Sequence, residues 1–121
     1  MTDHAAEAAR SAAVILAPDL GRNLPVEVEA ALAARAGDQR PDRFFDVVAL
    51  GGLIVSVASL AWTVYANLRD RGHGQEPEAD SMTRQVRIKL RERDELLPPG
   101  TERITEVVVT EIIRQSRQPG S

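Results

Sequence analysis

The longest apolar stretch of the chain runs from Val47 to Leu68 and contains no charged residue. A helix rises about 1.5 Å per residue and the hydrocarbon core of a bilayer is roughly 30 Å thick, so about 20 residues suffice to cross it. Ten positions in this stretch are Val, Leu or Ile, and such residues favour the membrane centre. No Asp, Lys or Arg adds its penalty of roughly 2.5–3.5 kcal/mol. The polar members are Ser56, Ser59 and Thr63, whose hydroxyls can bond back into their own helix, and Asn67 near the end. Phe44 and Phe45 stand at one end and Trp62 and Tyr65 near the other, in the manner of two aromatic interface belts. Asp46 stands where it would cap the helix start. The pattern predicts one transmembrane helix over residues 47–68. The competing reading is the buried central helix of a soluble domain. That reading requires the flanks to wrap a rod about 33 Å long.

The flanks divide by their own patterning. In residues 1–37, Ala5, Ala9, Ala12 and Leu16 recur at helical spacing, and Pro18, Gly21 and Pro25 interrupt them. Pro25 suits the first turn of a second helix, with Glu27 and Glu29 at its positive dipole end and Gly37 as its stop. Val28, Ala31, Leu32 and Arg35 share one face of that helix. The prediction is a short helical hairpin with a thin apolar stripe, marginal without a partner because alanine buries little area. Residues 38–46 read as a polar linker and 69–81 as a flexible one, the latter carrying Gly72, Gly74 and Pro77. Residues 82–118 form a small C-terminal unit and 119–121 a tail. Val86, Ile88 and Leu90 alternate with Arg87, Lys89 and Arg91, which predicts a strand. Met82, Val86 and Leu90 also fit one face of a short helix, the alternative reading. Pro98-Pro99-Gly100 is a turn, and Thr101 could cap a helix bearing Ile104, Val107, Val108 and Ile112. The β-branched run in that segment keeps a second strand open. The expected fold class is mostly α: a helical hairpin, a transmembrane helix and a C-terminal strand–helix unit.

Charge and composition narrow the chemistry. The 121 residues carry a net charge of −3, and none is cysteine, which removes disulfides, thiolate metal sites and cysteine nucleophiles. Residues 1–46 hold 5 Arg against 8 Asp and Glu, whereas residues 69–121 hold 10 basic against 10 acidic residues. Neither balance gives an overall basic field for nucleic acid. Arg84, Arg87, Lys89, Arg91 and Arg93 form a local basic cluster in which no aromatic residue is interleaved for base stacking. Near a membrane, Arg84, Arg87, Lys89 and Arg91 are candidate contacts for anionic headgroups; a solvated face is the plainer reading. His4 and His73 are the only histidines and belong to no metal-binding motif, so both are expected to be ordinary exposed side chains. With no phosphate loop or nucleophile elbow, no enzyme, cofactor or metal is expected. Met1–Ala9 has Asp3 and Glu7 and no basic residue, so a cleaved leader is not expected.

Ala49, Gly52, Ser56, Ser59, Thr63 and Ala66 fall at three- and four-residue steps and make one continuous small-residue face. In lipid such faces let helix backbones approach, so this is the candidate helix-packing face of a homo-oligomer. The run from Ala49 to Tyr65, followed by a linker and Arg84-Gln-Val-Arg-Ile-Lys-Leu90, resembles small single-span proteins of GC-rich bacteria over residues 44–115. Arginine dominance, with Lys89 the sole lysine, fits such a genome. The resemblance implies a single-pass protein of the bacterial inner membrane. It transfers no functional residue, and it raises an association with bacterial conflict systems. The expected function is a non-enzymatic membrane anchor or adaptor that self-associates through α-helix packing. The expected partners are the bilayer, further copies, and a protein docked on the C-terminal strand. Two alternatives stand beside it: a pore-like membrane-perturbing effector, and a soluble helical subunit whose apolar helix is buried against a partner.

Overall fold

A computed structural model describes residues 4–36, 50–72, 76–93 and 100–117. It contains five helices: α1 (His4–Leu20), α2 (Leu24–Ala36), α3 (Leu50–Arg71), α4 (Ala79–Arg93) and α5 (Thr101–Ser116). No strand occurs among the described residues.

The C-terminal strand–helix unit is therefore corrected to two helices. Val86–Leu90 lies inside α4. Met82 and Val86 are fully buried and Leu90 nearly so, while Ile88 is 45% exposed. The burial follows a four-residue step, and the two-residue alternation of Val86, Ile88 and Leu90 is incidental. The physical reason is that a helix satisfies its own backbone groups, whereas a lone strand would leave an edge without partners. The β-branched run of α5 is likewise helical, with Ile104, Val108, Val109 and Ile112 buried. Thr101 opens this helix without capping it: the cap position is Gly100, in the left-handed region at φ 89°. Ile104 N–H closes the first turn onto the Gly100 carbonyl at 2.9 Å.

At the N-terminal end α1 runs through Pro18 to Leu20, one turn beyond the expected break. Proline is tolerated there because only the last turn forgoes its backbone bond. Gly21 ends the helix, its N–H bonding the Ala17 carbonyl at 2.9 Å. Pro25 sits in the first turn of α2, as its missing N–H favours.

The long helix α3 is the axis of the molecule and touches all four others. The remaining helices are neighbours in the order α2, α1, α5, α4, and among the described residues α2 and α4 do not meet. They form a trough around α3 that is open along one side. On the α1 wall the core is alanine: Ala8, Ala9, Ala12 and Ala13 have no exposed surface, and Leu16 anchors the row. The opposite wall contributes Met82, Val86, Ile104, Val108 and Ile112. From α3 come Ile54, Val57, Ala58, Leu60, Ala61, Val64 and Tyr65.

Gly51 sets how closely α2 and α3 cross. A Cβ at this position would lie 2.6 Å from the Glu27 carbonyl carbon and 2.7 Å from the Val28 nitrogen. No side chain fits between those backbones. The same crossing lets the Gly51 N–H donate to Glu27 Oε1 at 3.3 Å, which places a carboxylate at the N-terminus of α3.

Candidate functional site

The features with chemical content are the stripe of α3 left bare by the trough, the outer face of α4, and a polar–aromatic cluster where α1 begins and α5 ends.

The bare stripe is the small-residue face. Ser56, Thr63 and Ala66 are exposed and Ser59 is half-buried, while Gly52 is buried. The Thr63 hydroxyl donates to the Ser59 carbonyl at 3.1 Å, so it is satisfied within its own helix. Ala49 lies outside the described residues. Within the monomer the face is thus bare at Ser56, Thr63 and Ala66 and covered at Gly52. A tight backbone approach is made at its neighbour Gly51.

On α4 the helical geometry gathers charges that a strand would have split between two faces. Arg84, Arg87 and Arg91 fall at steps of three and four residues, with Ile88 among them, opposite buried Met82, Val86 and Leu90. Arg84 and Arg91 are exposed and Lys89 is half-buried. Arg87 approaches Glu102 of α5 at 3.6 Å, too long for a hydrogen bond, and its Nε has no hydrogen-bond partner. Asp80, one turn before Arg84, lies on the same face, so its charge is mixed at the N-terminal end of α4.

At the far end of the bundle Trp62 and Tyr65 stack with ring centroids 5.4 Å apart, and His4 lies 4.9 Å from Trp62. His4 is half-buried against this ring rather than freely exposed. Trp62 and Tyr65 were expected as an interface belt; here Tyr65 is buried and Trp62 half-buried inside the bundle. Phe44, Phe45 and His73 lie outside the described residues. Beside this cluster Arg117 grips Glu76 with two hydrogen bonds of 2.7 and 2.9 Å. The Arg117 bond holds the Glu76 carboxyl below the usual glutamate range, against a smaller opposing effect of desolvation. The same contact raises Arg117. An open cleft of about 730 Å³ adjoins the pair, lined by Glu76, Pro77, Thr110, Ile113 and Arg114 among others. Within it Arg117 is paired with Glu76, and the Thr110 hydroxyl donates to the Glu106 carbonyl. Among the described residues no three His, Asp or Glu side chains gather as a metal site.

One further carboxylate is buried. Glu111 on α5 is 3% exposed, and its ion-pair partner Arg114 stands 3.6 Å away. The sequence marked neither this residue nor the His4–Trp62 contact, because each depends on helices distant in the chain. The chain matches no protein family, no curated protein and no solved structure.

By length and composition α3 is able to cross a membrane, a test that the core helix of a soluble protein also passes.

Proposed function

We propose that the chain is a non-enzymatic adaptor that attaches to a bilayer through α3 and assembles there with further copies of itself. The observation that carries this reading is the length of α3, 22 residues from Leu50 to Arg71, with no charge before Arg69. Ser56, Ser59, Thr63 and Ala66 follow one another along one side of α3, with Ser56, Thr63 and Ala66 exposed and Ser59 half-buried. In lipid that side is the face on which a second α3 packs, with backbones close and hydroxyls available across the seam. The outward residues Arg84, Arg87 and Arg91 of α4 then meet anionic headgroups, each contributing about 1 kcal/mol near the surface. The compartment that follows is a bacterial inner membrane.

A second reading rests on a different observation. All four remaining helices pack on α3, and 56% of its most apolar window is buried inside the bundle. On that reading α3 is the core of a soluble subunit.

Carbonate extraction separates the two. The adaptor remains with the membrane pellet, and release of the whole population into the supernatant overturns the proposal. Ser56→Ile with Thr63→Ile then tests the seam: the membrane-extracted protein falls to a smaller oligomer in mild detergent. An unchanged size removes self-association through this face.

A further inference from the structure

A helix that crosses a bilayer places everything before it on one side and everything after it on the other. Here α1 and α2 precede α3, while α4 and α5 follow it. Yet α1 and α5 are direct neighbours. Arg103, at the start of α5, donates to Asp19, at the end of α1. Gly100, which precedes α5, sits beside Leu20, the last residue of α1, 3.7 Å from a Cβ placed there, and the two helices pack side by side from that end. The two helices are therefore antiparallel and in contact along their length. No chain can keep that contact with a membrane roughly 30 Å thick between its partners.

The polar ties divide along the same line. Arg10 of α1 holds Glu29 of α2 at 2.7 Å, and Arg87 of α4 faces Glu102 of α5. Each joins two helices consecutive in the chain, so each survives when the halves part. Asp19–Arg103 is the ion pair that joins the first half to the second among the described residues. Among the described residues the α3 helix itself is held by apolar side chains and by the Glu27–Gly51 hydrogen bond. Apolar contacts are the kind that lipid tails replace at little cost, because the tails are as apolar as leucine.

We infer that the chain has two mutually exclusive arrangements. In water it is a closed bundle, with α3 in the trough and the halves joined at the α1–α5 interface. In a bilayer it is opened, with α3 crossing and the α1–α2 and α4–α5 hairpins apart on opposite faces. The inference rests on the membrane reading of α3 and adds that insertion requires the α1–α5 interface to come undone. The Asp19–Arg103 contact is the marker of the closed form. Opening bares the row of Leu16 on one hairpin and of Ile104, Val108 and Ile112 on the other, so the opened chain carries apolar surface that the closed one hides.

The absence of cysteine makes this directly testable. Asp19→Cys with Arg103→Cys places one thiol on each side of the interface, at exposed positions whose ion pair contributes little to stability. Cells expressing this variant are treated with a short bis-maleimide, then divided into soluble and carbonate-resistant membrane fractions. Intramolecular cross-linking, read by gel shift and intact mass, is expected in the soluble fraction and at least about tenfold weaker in the membrane fraction, where the bilayer separates the thiols. A control pair, Arg10→Cys with Glu29→Cys, stays within one hairpin and cross-links in both. Equal cross-linking of the first pair in both fractions overturns the inference and leaves the membrane reading standing. So does a membrane fraction accompanied by no cross-linked soluble form. Absence of any carbonate-resistant protein overturns both.

Discussion

The two walls of the trough bury α3 by opposite means. On the α1 wall four alanines are sealed completely, with Leu16 as the one large side chain in the row. Where α2 crosses, Gly51 removes even the methyl group, so that backbones meet. The α4–α5 wall packs with larger side chains, Met82, Val86, Ile104, Val108 and Ile112. Alanine loses no side-chain freedom on burial but removes little area from water, whereas isoleucine buries several times more at a modest entropic cost. The first wall thus determines distance and the second supplies most of the hydrophobic free energy. The helices that carry most of the burial are also the most charged on their outer faces, with Arg84, Arg91, Glu102, Arg103 and Glu106 exposed.

This contrast can be broken at several points. The largest effect is expected from Ile112→Ala, a fully buried position on the energetic wall. It should destabilise the fold by about 2–5 kcal/mol, measured by urea denaturation, the loss combining transfer free energy with a residual cavity. A cost below about 1 kcal/mol would mean that this wall is loosely packed. Next comes Ala12→Leu on the distance-setting wall, expected to cost about 1–3 kcal/mol by overpacking a site with no exposed surface. Unchanged or increased stability would show that α1 has room to move outward.

Smaller is Gly100→Ala, where α5 begins beside Leu20 of α1. Space is available there, with the nearest Leu20 carbon 3.7 Å from a new Cβ, so the expected cost of about 1 kcal/mol comes from the φ of 89° alone. Gly100→Asn should recover part of it, since asparagine tolerates this region better. The smallest effect is electrostatic. Glu76 is partly exposed, and Arg117 holds it below the ordinary glutamate pKa. A carboxyl lowered by folding contributes stability above its unfolded pKa of about 4.3, and that contribution disappears as pH falls through its folded value. A pH titration of the Glu76 side chain by NMR should therefore show a depressed midpoint that returns to the ordinary value in Arg117→Gln. An unshifted midpoint in the parent chain would remove the clasp.

Helices α1, α2 and α3 were legible from the sequence, because alanine spacing, Pro25 and a long uncharged run all speak locally. Helix α5 was legible as well, from Ile104, Val108 and Ile112 on one face; the α4 segment was not, and the reason lies in particular residues. Val86 and Leu90 satisfy a two-residue and a four-residue step equally, and only the fate of Ile88 decides between them. Its exposure is a tertiary fact, fixed by α3 and α5 covering the Met82 side of the helix. The stripe from Gly52 to Ala66 was visible as a face, but its direction was not, since small residues suit both a close contact and a surface that nothing covers. Gly51 and Gly52 are adjacent and alike in sequence. What distinguishes Gly51 is Glu27, 24 positions earlier in the chain.

Trp62 is the only tryptophan among the 121 residues. It is in ring contact with the imidazole of His4, in the first turn of α1, and with the phenol ring of Tyr65. Its indole is therefore an optical probe that the molecule supplies for itself. Coupled rings in a fixed arrangement give a near-ultraviolet dichroism band, and a neighbouring imidazole quenches indole emission. Lifting the first turn of α1 should brighten the fluorescence and flatten that band before the helical far-ultraviolet signal changes, so a single unlabelled sample reports separately on the docking of α1 and on the integrity of its helices.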